Sequence, residues 1–209
     1  MKKIWDISPC VDSTSPVFPG DTPYQQQWSA QWSEQCPVNV SAISLSPHVG
    51  AHADAPLHYS PQGHSIGQVD LAPYLGPCRV VHCALGLACV KWQDIAHAIT
   101  QDLPPRLLLR TYAAQPRLKF DTQLPAIAPD VLNRLADMGL LLIGTDSASI
   151  DPAESQTLPS HQVLRLRNLR VLENLLLDAV PAGDYELIAL PLKLAQADAS
   201  PVRAILREL

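Results

Sequence analysis

Twenty of the 209 residues are proline. Proline fixes φ and offers no backbone N–H, so it interrupts helices and central strands alike. A chain punctuated this often is built from many short elements joined by firm turns, not from long helices. Its longest apolar runs, Leu140 to Ile143 and Leu187 to Leu190, have the length of buried strands. A membrane span needs about 18 or more apolar residues, and the first residues lack the apolar run of a signal peptide. Hydrophobic residues make up 47% and charged residues 17%, the balance of a folded chain. A single domain over residues 1–209 is the expectation.

The formal net charge is −5, and no Lys/Arg cluster provides the basic face that a nucleic acid requires. Arg165, Arg167 and Arg170 read as the wet side of an element. The five cysteines, Cys10, Cys36, Cys78, Cys83 and Cys89, are odd in number and form no CxxC pair. A disulfide framework is not expected, and the last three read as buried strand thiols. A small-molecule partner and a cytoplasmic location are the expectations.

Val38 to Leu45 alternates apolar and polar apart from a slip at Ala42 and Ile43, which predicts a half-buried strand, bulged at the slip. Strands are also predicted over Arg79 to Leu85, Leu107 to Tyr112, Leu140 to Thr145 and Tyr185 to Leu192. Helical patterns run over Trp92 to Thr100 and Pro129 to Met138, with Gly139 as C-cap, and from Pro159 to about Asn168. Late helices alternating with strands after a strand-rich first half predict an α/β chain. A mixed, partly parallel central sheet and a second antiparallel layer follow.

Residues 48 to 58 read His-Val-Gly-Ala-His-Ala-Asp-Ala-Pro-Leu-His, so three of the seven histidines and one Asp fall within eleven residues. A helix would point Asp54 away from His48, and Gly50 and Pro56 oppose one. A straight strand would put His48 and His52 about 13 Å apart, at roughly 3.3 Å per residue. One metal needs its ligand atoms within about 3–4 Å of each other. A shared metal therefore demands a bent segment, and Gly50 supplies the bend. Two imidazoles and a carboxylate leave a coordination position open, as a catalytic metal requires. Asp54 has two oxygens and can bridge to a second metal. His64, His82, His97 and His161 remain, of which only His161 has a carboxylate, Glu173, at a useful distance along the chain. The residues alone leave that pair open.

The segment His48-Val-Gly-Ala-His52-Ala-Asp54-Ala-Pro-Leu-His58 resembles the His-x-Gly-x-His-x-Asp-x-Pro-x-His motif of the bacterial kynurenine formamidases, a branch of the cyclase-like metal-dependent hydrolases. The resemblance extends over Ile4 to Ser8, Val17 to Asp21, Gly144 to Ser147, Pro181 to Leu192 and Ser200 to Arg203, in order along nearly the whole chain. It implies a three-layer β/β/α fold and a homodimer. It implies one zinc on His48, His52 and Asp54, and a second on Asp54, His161 and Glu173. It implies His58 as proton shuttle and Phe18 as the aromatic wall for the substrate, at a position where the family often has Trp. The implied reaction is hydrolysis of N-formyl-L-kynurenine to L-kynurenine and formate, a step of tryptophan degradation. Water activated by zinc would attack the formyl carbon, and His58 would protonate the leaving aryl amine. Manganese or cobalt would suit the same donors. Asp146 and Ser149 are weak candidates for holding the substrate's amino-acid end, since a strand-end turn explains them as well. The alternatives are hydrolysis of a cyclic amide such as isatin, or a metal-binding module without turnover, which would leave His58 without a role.

Overall fold

The computed structural model describes residues 2–209. The first half contributes β1 (Ile4–Asp6), β2 (Gln25–Ala30), β3 (Val40–Ser44), β4 (His52–Asp54), α1 (Pro56–Tyr59), β5 (Leu75–His82), β6 (Cys89–Val90) and α2 (Trp92–Ile95). The second half contributes β7 (Arg106–Arg110), β8 (Ala126–Ile127), α3 (Pro129–Asp137), β9 (Leu142–Thr145), α4 (Pro159–Arg167), β10 (Arg170–Glu173), β11 (Gly183–Ile188), β12 (Ala199–Pro201) and β13 (Ile205–Glu208). The prolines act as the sequence implies: α1, α3 and α4 each open on one, where a missing N–H costs nothing. Helix α3 stops before Gly139, at φ +91°, and α4 stops at Asn168, at φ +54°. The helix predicted from Trp92 is shorter than expected, because a 3₁₀ turn over Ala96–Ala98 replaces its second half.

Nine strands form one mixed sheet in the order β1-β13-β11-β5-β7-β9-β10-β4-β12. The pairs β5/β7, β7/β9 and β9/β10 are parallel, and the flanking pairs are antiparallel. Strands β2 and β3 make a separate antiparallel pair. The fold is therefore α/β, with a mixed, partly parallel central sheet and a second antiparallel sheet. Strand β7 shows how two cores arise from one run. Leu107 and Leu109 face a core shared with Leu132 and Leu135 of α3 and Leu164 of α4, while Leu108 faces the opposite core with Leu172 and Leu187. Successive side chains of a strand point to opposite faces, so a continuous apolar run is needed where both faces are covered. Gly144 on β9 keeps the sheet close to its neighbours: a Cβ there would lie 2.4 Å from Leu108 Cδ2.

Two expectations are corrected. Strand β3 is exposed along its whole length instead of half-buried, and the register irregularity falls opposite it, between Trp28 and Ala30. Among the described residues no other element buries this hairpin, so alternation alone could not report burial. Arg165 and Arg167 are exposed, but Arg170 is buried at the start of β10, bonded to the carbonyls of Asn168 and Leu169. Cys78 and Cys83 are buried as expected, Cys89 is only partly buried, and all five cysteines are free.

Candidate metal centre

The eleven-residue histidine segment folds as a turn, a strand and a short helix. Gly50, at φ +70°, bends the chain between His48 and β4, in a conformation that suits glycine. A Cβ at Gly50 would also lie 2.6 Å from Val11 Cγ2. His52 and Asp54 then share one face of β4, which sits inside the main sheet between β10 and β12. His58 lies on α1. The segment is thus bent as expected, but its second half is a buried strand and not part of the turn.

The neighbouring strand and helix deliver the distant pair. Glu173 of β10 stands directly opposite His52 in the antiparallel register. His161 lies in the first turn of α4 and is buried. His48 Nδ1 and His52 Nε2 lie 3.2 and 3.4 Å from Asp54 Oδ1. His161 Nε2 lies 3.4 Å from Asp54 Oδ2 and 3.7 Å from Glu173 Oε1. His52 Nε2 is 3.3 Å from Glu173 Oε2. The five residues named as metal ligands therefore meet in one cluster, with Asp54 turning one oxygen to His48 and His52 and the other to His161. Two three-residue groups have one ligand atom each within 4.8 Å of one another: His48, Asp54 and His58, and His52, Asp54 and Glu173. The second group crosses the division inferred from the sequence, since Glu173 also reaches His52. His64, His82 and His97 stand outside, with His82 Nε2 donating to the Val180 carbonyl.

Two carboxylates escaped the sequence reading. Asp151 Oδ2 accepts from His161 Nδ1 at 2.8 Å and from its backbone N at 3.0 Å, while Oδ1 accepts from Ser160 N. This holds His161 with Nε2 directed at Asp54. Asp198, just before β12, lies 3.0 Å from His48 Nε2 and 3.2 Å from His58 Nδ1 through one oxygen. Both partners lie far along the chain or outside any local motif, so no spacing signals them. On β4, His52 Nδ1 donates to Gly50 O at 2.9 Å, which leaves Nε2 for the cluster.

Electrostatics describe a site that attracts cations. Burial pushes the Asp54 carboxyl up, but the imidazoles of His161, His48, His58 and His52 around it hold it well below the usual carboxylate range. Burial disfavours charged His48, yet Asp54 and Asp198 raise it to about 9. Burial likewise opposes charge on His161, and Asp151, Asp54 and Glu173 raise it to about 10. Both Asp54 oxygens, His52 Nε2 and His161 Nε2 are buried without a hydrogen-bond partner. Leaving such atoms unmatched costs several kcal/mol, roughly 1–3 or more for each. Metal coordination would match all four. Donor atoms 3.2–3.7 Å apart suit bonds of about 2.0–2.2 Å, and nitrogen and carboxylate donors suit zinc. The residues present fit a metal.

Beside the cluster lies a cleft of about 350 Å³. Phe18 lines it with Phe120, their ring centroids 5.3 Å apart at 76°. Phe120 was not anticipated; its ring adjoins Phe18 and lines the same cleft. Asp146 and Ser149 also line the cleft. Asp146, however, is occupied by Thr111 N, Thr111 Oγ1 and Tyr112 N, at 2.6 to 3.1 Å.

With this geometry in place, the relatives are informative. The family model Cyclase, described as "Putative cyclase", matches residues 5–152. A kynurenine formamidase of Paracidovorax citrulli (strain AAC00-1) is 62% identical over 209 residues, covering 99% of this chain and 97% of its own. A solved structure described as a potential metal-dependent hydrolase with cyclase activity superposes with a TM-score of 0.84 at 26% identity, over 100% of this chain and 99% of its own. Isatin hydrolase A from Labrenzia aggregata, bound to benzyl benzoate, superposes with a TM-score of 0.83 at 23% identity, over 99% and 94% of the two chains, and shares the fold. The chain belongs to the cyclase family of metal-dependent hydrolases and, within it, to the kynurenine formamidases.

Proposed function

We propose that the protein hydrolyses N-formyl-L-kynurenine to L-kynurenine and formate, with two zinc ions in the cluster. His48, His52 and Asp54 would hold one ion; Asp54, His161 and Glu173 would hold the other. The observation that carries this reading is the meeting of two unpartnered buried imidazole nitrogens with both unpartnered oxygens of Asp54 beside an aromatic-walled cleft. When bound, a divalent ion supplies a water of lowered pKa and polarises a carbonyl oxygen.

The chain's own residues do the rest. Phe18 and Phe120 offer aromatic surface to the substrate's ring. His58, exposed at the cleft, would pass a proton to the aryl amine as its bond to the formyl carbon breaks. Asp198 orients that imidazole through Nδ1 and leaves Nε2 for transfer. A homodimer fits the exposed β2/β3 hairpin, and the free cysteines fit the cytoplasm.

The test follows kynurenine absorbance on adding N-formyl-L-kynurenine, with and without a chelator. Chelator-sensitive turnover is expected, and replacing His58 with Ala should lower it by roughly 10²–10⁴-fold with metal content retained. Metal without turnover, or turnover of isatin in its place, contradicts the assignment of the substrate. Equal loss of metal and activity in the His58 variant would make His58 a ligand.

A further inference from the structure

The substrate class proposed above ends in a free amino acid, carrying a carboxylate and an ammonium group. The cleft must meet those charges at the end away from the metal cluster. Among the residues lining it, Lys119 is the one lysine or arginine. Its neighbour Arg117 is committed elsewhere, to Asp178 at 3.0 Å. Lys119 has no ion-pair partner among the described residues.

The carboxylates lining the cleft outside the metal cluster are Asp21, Asp121 and Asp146. Asp146 is buried and occupied by backbone and hydroxyl donors. Asp121 accepts from Tyr112 Oη at 2.9 Å through one oxygen and from Gln123 N at 2.9 Å through the other. Asp21 accepts only from its neighbour Thr22 N, at 2.7 Å, and is the freest of the three.

The two unspent charges flank the aromatic pair. Lys119 immediately precedes Phe120, and Asp21 closes a turn on Phe18, its N–H donating to the Phe18 carbonyl at 2.9 Å. The Lys119 loop is anchored by Tyr112 on Asp121 and by Gln115, whose N–H bonds Asp178 and whose amide bonds the Asp146 carbonyl. A ring seated against Phe18 and Phe120 therefore has a cation beside one face residue and an anion beside the other.

We propose that Lys119 receives the α-carboxylate of the substrate and Asp21 its α-ammonium, so that the cleft selects formylated aryl amines bearing a free amino acid. This rests on the formamidase reading, and the experiment separates the two. The zinc-loaded enzyme is assayed on N-formyl-L-kynurenine and on 2-formamidoacetophenone, which keeps the ring and formyl group and lacks the amino acid. Lys119→Met should reduce the preference for the first substrate by about two- to fivefold, through KM, as expected for one rim ion pair. Lys119→Glu should reduce it further, and Asp21→Asn should act in the same direction. Equal losses on both substrates would show a structural role for these residues, and an unchanged preference would show none; either overturns the proposal and leaves the formamidase reading standing. A wild-type enzyme inactive on both substrates overturns that reading and the proposal together.

Discussion

A buried carboxylate without a donor on either oxygen is costly to keep ionised, and Asp54 is such a group. Its neighbours respond by binding protons. Raised from an ordinary 6.5, His48 at about 9 and His161 at about 10 favour the folded metal-free chain when protonated. A raised folded-state value gives stability that is full below the unfolded value and is lost as pH rises through the folded one. The melting temperature of the chelated protein should therefore fall between pH 6.5 and about 10, while the zinc-loaded protein changes less, its histidines already deprotonated by ligation. A chelated protein that becomes more stable over that range would contradict the account. Among single residues, His48, His52, Asp54 and His58 are legible because they lie within eleven positions. Asp198 is not, since it meets His48 from 150 residues away.

Elements differ in how well they announce themselves. Helices α3 and α4 are marked at both ends by proline and by a residue that tolerates positive φ, and their predicted limits hold within a residue or so. Strands β4, β10 and β12 have three, four and three residues, too few to show a period, yet they carry or border the cluster. Strand β3 shows a period and still misleads, because burial depends on what packs against it. At the start of α4, Asp151 joins local structure to chemistry by accepting the Ser160 and His161 backbone donors and the His161 ring. Asp151→Asn should weaken zinc binding by about 10–100-fold, the usual effect of removing the group that orients a histidine ligand. Competition against a chromogenic chelator measures this, and unchanged affinity would show that α4 alone positions His161.

At the scale of the molecule, the mixed sheet places β4 between β10 and β12, so residues from both halves of the chain reach one point. The α/β class was readable from the alternation of late strands and helices. The strand order was not, because β1 and β13 pair the two ends of the chain, a long-range choice without a local signal. The β2/β3 hairpin projects Trp28 and Ile43, 53% and 60% exposed, as diagonal neighbours on one face. Apolar patches of this kind mark association surfaces. Light scattering should give twice the chain mass, and Ile43→Glu should shift the population toward the monomer; a wild-type monomer would remove the homodimer from the account.

The claim on which everything else depends is a two-metal cluster bridged by Asp54. Its most direct test is the zinc content of the purified protein by elemental analysis, for the wild type and for His161→Ala. The account predicts two zinc ions per chain in the wild type and about one in the variant. One ion or none in the wild type, or a variant that retains both, would contradict it.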